Sequence, residues 1–326
     1  MSEARAVTAP SEPAPPSRPP APRARTAYRV PTWRRVLHKL TPLLWIGPAI
    51  GLICFVVLLP VYEMFRTSFR DIDSIGFDHG WAGWKNFKNL FKEPGLSSIV
   101  WRTVLCVVVV VAVTVVISLA LAQLFNQRFP GRRVTRWALI APWAASVVMT
   151  AIVFRWMLDA RSGLINVFLH DIGVVKKLGS AQADWLGRPV AFWWLVGVAV
   201  FVSLPFTTYA LLAGLQTIPT DVYEAARVDG ASTMRSYLSI TLPLLRPALT
   251  VAVLINIMNV FNSFPIIWEM TRGGPGDQTA TTTIFMYQIK ASSIPESAAM
   301  SVINFGFVIV LVVIFLKASR WKQQVS

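Results

Sequence analysis

Long apolar runs that are almost free of charge, separated by short charged segments, dominate the pattern along the chain. A helix needs about 20 apolar residues to cross a hydrocarbon core of about 30 Å. Windows of this kind lie at about 43–65, 101–127, 137–158, 189–216, 247–268 and 297–317. They do not alternate apolar and polar residues with period two, as the strands of a membrane barrel do. The pattern therefore predicts an all-α polytopic membrane protein with six transmembrane helices.

Composition and charge support this prediction and add an orientation. Of the 326 residues, 54% are apolar and only 14% are charged, whereas soluble proteins carry roughly 25% charged residues. The net charge of +15 comes mainly from the N-terminal segment, the loop between the second and third windows, and the C-terminal tail. Basic loops stay in the cytoplasm, so both termini are predicted to be cytoplasmic. The excess of base then sets topology and does not indicate a nucleic-acid partner.

The windows divide the chain into three parts. Residues 1–42 are basic and rich in proline, and they lack the apolar core of a signal peptide, which predicts a disordered cytoplasmic tail. Residues 43–320 form the predicted transmembrane domain, which includes a cytoplasmic loop at 217–246. Residues 321–326 form a second, short cytoplasmic tail.

Sequence signatures of catalysis and metal binding are missing. The chain has no G-x-x-x-x-G-K-[ST] phosphate-binding loop, no H-E-x-x-H pair and no cluster of Cys and His. Cys54 and Cys106 lie inside apolar runs, and the three histidines (His38, His79 and His170) are isolated. We therefore predict a protein that is not an enzyme and has no catalytic residue, metal site or cofactor of its own.

The loop at 217–246 has a readable local pattern. Asp221 and Glu224 have the spacing of a capping box at a helix N-terminus. Gly230 suits the left-handed position that ends a helix, and Ser232 can cap a second helix. The pattern predicts a short helix, a sharp turn and a second helix that leads into the fifth span.

Two motifs resemble those of a known family. The residues that reproduce an E-A-A-x3-G-x9-I-x-L-P motif are Glu224, Ala225, Ala226, Gly230, Ile240, Leu242 and Pro243. This loop is similar to that of permease subunits of bacterial type I ABC importers, which lie in the inner membrane. After the fifth window, Thr271, Gly273, Gly274 and Pro275 resemble the T-x-G-G-P stretch of the first permease subunit of the maltose and sugar-phosphate types. The chain departs from the maltose type in lacking extra N-terminal spans and a large periplasmic insert.

The resemblance implies the type I importer permease fold and a set of partners. These are a second homologous permease subunit, two ATP-binding subunits that bind ATP and Mg, an extracytoplasmic solute-binding protein and a sugar. The segment from Glu224 to Gly230 would be a coupling helix that docks into an ATP-binding subunit, unless the loop is an ordinary amphipathic linker. The candidate coupling residues are Tyr223, Glu224, Ala225, Ala226, Asp229, Gly230, Ile240, Leu242 and Pro243.

Polar residues within the fourth and fifth windows are candidates for a substrate pathway, because polar groups in spans usually face the interior of the bundle. Asn256, Asn259 and Ser263 share one helical face. The full candidate set is Ser203, Phe206, Asn256, Asn259, Asn262 and Ser263, and the resemblance places four of these (Ser203, Phe206, Asn256 and Ser263) at the family's substrate positions. Asparagine and serine in spans also join helices by hydrogen bonds, so both interpretations stay open.

The sequence leaves more than one class of solute open. Arg155 interrupts the end of the third window, where we expect it to reach the interface or to pair with Asp159. A neutral sugar or oligosaccharide, moved by alternating access, is favoured over glycerol phosphate or a polyamine. A self-contained secondary transporter or channel is a further alternative, although the spans lack a relay of acidic residues.

Overall fold

The computed structural model describes residues 45–73 and 75–321. The tail predicted at residues 1–42 and the last five residues of the C-terminal tail lie outside the described residues. The chain divides into two units, Met1–Leu58 and Leu59–Ser326. In the first unit, the described residues are helical from Trp45 and end in a π-helical turn, Cys54–Leu58.

The second unit is mostly helical and also contains a small antiparallel β-hairpin. The hairpin joins β1 (Arg70–Ile72) to β2 (Asp78–Trp81), with Arg70 opposite Trp81 and Ile72 opposite Asp78. The helices are α1 (Leu59–Ser68), α2 (Lys85–Lys92), α3 (Leu96–Asn126), α4 (Arg132–Ile140), α5 (Val147–Met157), α6 (Leu164–Asp171), α7 (Ala191–Gln216), α8 (Thr220–Val228), α9 (Thr233–Ser236), α10 (Leu242–Leu244), α11 (Arg246–Phe261), α12 (Phe264–Met270), α13 (Thr282–Ile289) and α14 (Ile294–Trp321).

Among the described residues, five helical stretches are long and apolar enough to cross a membrane. They are Trp45–Ser68, Leu96–Asn126, Ala191–Gln216, Arg246–Met270 and Ile294–Lys317. A sixth crossing is made only if the pair Arg132–Ala144 and Val147–Met157, which is bent by 97°, counts as one span. The predicted helical membrane fold is confirmed, and five of the six windows contain a long helix.

The third window differs from the single helix that the sequence predicts at 137–158. A 3-10 turn at Ala141–Ala144, with Pro142 near its start, follows α4. Ala145 is extended, and the Ser146 side chain accepts a hydrogen bond of 3.2 Å from the Met149 amide at the start of α5. Proline ends regular helical hydrogen bonding, and a serine cap begins a new helix in a new direction. These two local signals divide an apolar window that looks continuous.

The core of the second unit is built around the long helices α3 and α7, which pack against each other. Small polar side chains (Thr114, Ser118, Thr207 and Thr208) are fully buried in these two helices. At the end of α7, the helix passes very close to the start of α11, because a Cβ atom on Gly214 would lie 2.6 Å from the Cβ atom of Ala248. Small residues allow helix backbones to approach in membrane proteins, and here they bring together the two helices that flank the 217–246 loop.

Candidate functional site

A cavity of about 360 Å³ lies among the start of α5, the middle of α7 and the junction of α11 and α12. All six residues predicted for a substrate pathway line it: Ser203, Phe206, Asn256, Asn259, Asn262 and Ser263. Its other lining residues are Trp143, Val147, Ala199, Val202, Ile255, Val260, Pro265 and Ile266. The structure therefore gathers in one place a set of residues that are 60 positions apart in sequence.

A short interruption in the fifth span shapes one wall of this cavity. Helix α11 ends at Phe261 and α12 begins at Phe264, so that Asn262 and Ser263 form the junction between them. The predicted span at 247–268 is thus interrupted by two of its own polar residues. Irregular backbone at membrane depth is tolerated where it lines a cavity or is buried in protein, and this junction lines one.

Asn256 and Ser203 both donate hydrogen bonds to other groups of the protein. Asn256 is only 2% exposed, and its Nδ2 atom donates to the Thr207 hydroxyl at 2.7 Å and to the Ala252 carbonyl at 2.9 Å. The Ser203 hydroxyl donates to the Ala199 carbonyl at 2.8 Å. Since both Asn256 donor hydrogens are used, this residue joins α11 to α7 and offers the cavity only its carbonyl oxygen.

Asn259 and Asn262 are the more accessible amides in the cavity. Both are exposed, and the Asn262 Nδ2 atom donates to the Met258 carbonyl at 3.1 Å while its oxygen stays available. Aromatic faces come from Phe206 and from Trp143, which is 56% exposed. Sequence reasoning missed Trp143, because only the bend in the third span brings it to the cavity.

Among the described residues, no Lys, Arg, Asp or Glu lines this cavity. The Arg155 Nη1 atom donates to the Glu269 carbonyl at 3.2 Å, so the expected pair with Asp159 is replaced by a contact between α5 and α12. The Asp159 carboxylate instead accepts from the Ser162 amide, the Ser162 hydroxyl and the Arg161 amide, and these bonds lower its pKa. The cavity therefore presents amide, hydroxyl and aromatic groups without net charge.

The segment from Thr271 to Thr279 forms a compact turn. The Thr271 and Thr279 hydroxyls lie 2.7 Å apart, and the Thr279 hydroxyl donates to the Gly274 carbonyl at 2.7 Å. Gly273 has a φ of 92°, and a Cβ atom there would lie 3.0 Å from both the Gln288 Nε2 and Ile284 Cγ2 atoms. The glycine of this motif is thus required by the backbone conformation and by close packing on α13.

In the predicted coupling segment, α8 ends as the sequence predicts and begins differently. Gly230 has a φ of 72°, and its amide donates to the Arg227 carbonyl at 3.0 Å while the Ala231 amide donates to the Ala226 carbonyl at 2.9 Å. This pair of bonds is the Schellman motif. The predicted capping box is wrong, because Pro219 is the N-cap and Asp221 lies inside the first turn. Ser232 does cap α9, by accepting from the Arg235 amide at 3.4 Å.

The candidate coupling residues fall into an exposed group and an anchoring group. Glu224, Ala225, Asp229 and Gly230 are exposed, and the neighbouring Val228 is 88% exposed. The half-buried residues are Tyr223, Ile240, Leu242 and Pro243, and Ala226 is buried. Tyr223 packs on the cluster that contains Leu215 and Leu245, and its hydroxyl accepts from the Thr241 hydroxyl at 3.3 Å. Helix α8 is therefore attached at its base to α7 and α11 and free on its outer side.

The described residues offer no metal site. Across 45–73 and 75–321, no group of three His, Cys, Asp or Glu side chains is placed to hold a metal ion.

Comparison with known proteins assigns the family. Residues 114–320 match the model of the binding-protein-dependent transport system inner membrane component. The chain belongs to this family. The permease is 35% identical to a probable ABC transporter permease protein of Brucella suis biovar 1, over 88% of its own length and 99% of the relative. It is 33% identical to the trehalose/maltose transport system permease protein of Thermococcus litoralis, over 86% and 94% of the two chains.

The fold of the permease matches a solved transporter. It superposes with a TM-score of 0.76 and 19% identity on a chain of a bacterial ABC transporter involved in the import of the acidic polysaccharide alginate, covering 89% of this chain and 98% of that one. The predicted ABC importer permease fold is confirmed. Family membership also makes the protein a transport component of the inner membrane and sets aside the alternative of a self-contained channel or secondary transporter.

Proposed function

We propose that the permease carries a neutral carbohydrate across the inner membrane, and that the cavity between α7 and α11 holds this sugar during alternating access. The observation that carries the proposal is the convergence of all six predicted pathway residues on one uncharged cavity. The relative from Thermococcus litoralis is named for trehalose and maltose transport, which supports a solute of this class.

The lining chemistry suits a polyhydroxyl ligand. Sugar hydroxyls both donate and accept, and the Asn259 and Asn262 amides and the Ser263 hydroxyl offer both functions. The rings of Phe206 and Trp143 can cover the apolar face of a sugar ring. A cavity of about 360 Å³ lies at the lower end of the usual range for small-molecule sites, which favours a mono- or disaccharide unit. The absence of charge in the described lining argues against glycerol phosphate and polyamines, whose charges need counter-charges.

The remaining assignments belong to the same proposal. The exposed side of α8, with Glu224, Ala225, Asp229 and Gly230, docks into an ATP-binding subunit. Two such subunits bind ATP and Mg, so the permease needs no cofactor of its own. A second homologous permease completes the translocation path, and an extracytoplasmic binding protein delivers the sugar. Both termini lie in the cytoplasm, as the basic loops indicate.

Uptake kinetics in proteoliposomes that contain the whole transporter test the cavity. Labelled maltose is the probe. We expect Asn259→Ala and Asn262→Ala each to raise the KM about three- to tenfold, the value of a neutral hydrogen bond. Asn126→Ala, an exposed amide at the end of α3, is the matched control and leaves KM unchanged.

Asn256→Ala separates binding from packing. Because its amide joins α11 to α7, we expect a lower unfolding temperature together with altered uptake.

If Asn259→Ala and Asn262→Ala both leave KM and maximal rate at the wild-type values, the cavity is not the sugar site.

A further inference from the structure

A cluster of arginines lies on the segment that joins α3 to the bent third span. Arg128, Arg132, Arg133 and Arg136 fall within nine residues, and residues 127–140 contain no Asp or Glu. Among the residues that the structure describes, none of these four forms an ion pair. Four like charges in so small a region repel one another, so a bound anion would stabilise the segment.

The position of this cluster is fixed by its neighbours in the chain. Helix α3 ends at Asn126 and α4 begins at Arg132. Helix α3 is long and apolar enough to cross the membrane, so a link this short keeps the start of α4 near the edge of the bilayer. The 97° bend that follows turns α4 away from the direction of α5. The Tyr209 hydroxyl donates to the Arg136 carbonyl at 3.3 Å, and Tyr209 packs on the cluster that also anchors α8.

The inner face of α4 holds the helix in place. The Arg136 Nη2 atom donates to the Phe125 carbonyl at 2.8 Å, at the end of α3, and Leu139 packs on the same apolar cluster as Tyr209. The Nε atoms of Arg132 and Arg136 are buried, and neither has a hydrogen-bond partner among the described residues. Arg136 therefore positions the helix, while Arg132 is half-buried and keeps an Nε donor without a partner among the described residues.

The outer face of α4 combines positive charge with apolar surface. Arg128 and Arg133 are exposed, Val134 is 71% exposed and Trp137 is 63% exposed. Arginine beside tryptophan and aliphatic side chains is the composition of a helix that lies in the headgroup region of a membrane.

We propose that this segment is a binding site for an anionic phospholipid. Arg128, Arg132 and Arg133 hold the phosphate, because guanidinium groups bind phosphate oxygens in a bidentate manner. Val134 and Trp137 pack against the glycerol and the first acyl carbons. The site lies at the end of the bundle that carries α8, and it is independent of which solute is transported.

Energy transfer from tryptophan to a labelled lipid tests the proposal on the assembled transporter in vesicles. Vesicles contain dansyl-phosphatidylglycerol or dansyl-phosphatidylcholine at equal mole fraction, and Trp137→Phe identifies the part of the signal that comes from Trp137. We expect the Trp137 signal to favour the anionic lipid about fivefold, the effect of roughly one arginine near an anionic surface. The preference should disappear in Arg128→Gln/Arg132→Gln/Arg133→Gln.

Three further measurements keep the test decisive. Lys176→Gln/Lys177→Gln removes exposed charge in the link between α6 and α7 and should leave the preference intact. If the triple variant does not assemble, Arg133→Gln alone, at an exposed position, should still lower the preference about twofold. Added inorganic phosphate should not displace the lipid.

Equal transfer to both lipids in the wild type, or an unchanged preference in the triple variant, overturns the proposal. So does a triple variant that loses the ATP-binding subunits while its lipid preference persists, because the arginines would then contact a protein partner.

Discussion

The two glycine-containing loops on either side of the fifth span use glycine for different reasons. In the Thr271–Thr279 turn, Gly273 has a left-handed φ, and a Cβ atom there would lie only 3.0 Å from atoms of Gln288 and Ile284, so a side chain fits only if these neighbours shift. In the 217–246 loop, Gly230 has a similar φ of 72°, but a Cβ atom there would meet nothing within 4 Å. The first loop packs tightly around its glycine, whereas the space around Gly230 in the second loop is empty.

This difference separates a motif with buried side chains from a motif with exposed ones. The threonine hydroxyls of the Thr271–Thr279 turn are directed inward, since they bond to each other and to the Gly274 carbonyl. The residues of α8 in the other loop are mostly exposed, and Val228 is nearly fully so. A family motif with its side chains buried stabilises the subunit, whereas one with its side chains exposed is available to a partner.

The largest expected effect is that of Gly273→Ala. The added methyl group requires shifts in Gln288 or Ile284, and alanine at a left-handed φ is strained. Together these cost about 2–4 kcal/mol, so we expect a clear fall in the unfolding temperature of the purified transporter and little folded subunit in the membrane. Differential scanning fluorimetry and quantitative blotting measure both.

Gly230→Ala is the matched comparison. Its left-handed φ is similar, but the surrounding space is open, so the cost is only the backbone term of about 1 kcal/mol. Equal losses of stability in the two variants would contradict the distinction between a closed loop and an open one.

The next largest expected effect is a loss of transport without a loss of stability. Ala225 is exposed on α8, whereas Ala226 is buried, so only Ala225 tests docking without disturbing packing. Ala225→Trp should lower sugar uptake about 30-fold, equivalent to a hot-spot loss of ~2 kcal/mol at the interface. Surface substitutions change stability by only about 0.5 kcal/mol, so the unfolding temperature should stay the same.

Ala225→Ser is the control for volume and should transport normally. Stimulation of ATP hydrolysis by the sugar-loaded binding protein gives a second readout, which Ala225→Trp should abolish. Normal uptake by Ala225→Trp would remove α8 from the coupling interface.

Much of the fold could be predicted because lipid allows few solutions. Charge-free windows specify helices whatever their β-branched content, and five of the six windows contain a long membrane helix. The Gly230 termination and the Ser232 cap follow from local chemistry, so the sequence predicts them as well. The polar residues of the cavity could be grouped from the sequence because a polar side chain in a span has few places to lie.

What the sequence could not specify depends on local signals that end one helix and begin another, and on contacts between distant segments. The bend after α4 depends on Pro142 and Ser146, which a window average conceals. The bond from Asn256 to Thr207 joins residues 49 positions apart, and no spacing rule within one helix reports it. Trp143 reaches the cavity only because of that bend.

The smallest expected effect comes from Asp221→Ala, at the start of α8. A capping carboxylate would contribute about 1 kcal/mol, but Pro219 is the N-cap and Asp221 lies one position into the helix. Its carboxylate then stabilises only through the helix dipole, by about 0.3 kcal/mol at an exposed site, and added salt should remove that difference. Ser232→Ala, which does remove a cap, is the comparison and should cost about three times as much. An Asp221→Ala loss as large as that of Ser232→Ala, and insensitive to salt, would restore the capping interpretation and move the start of α8.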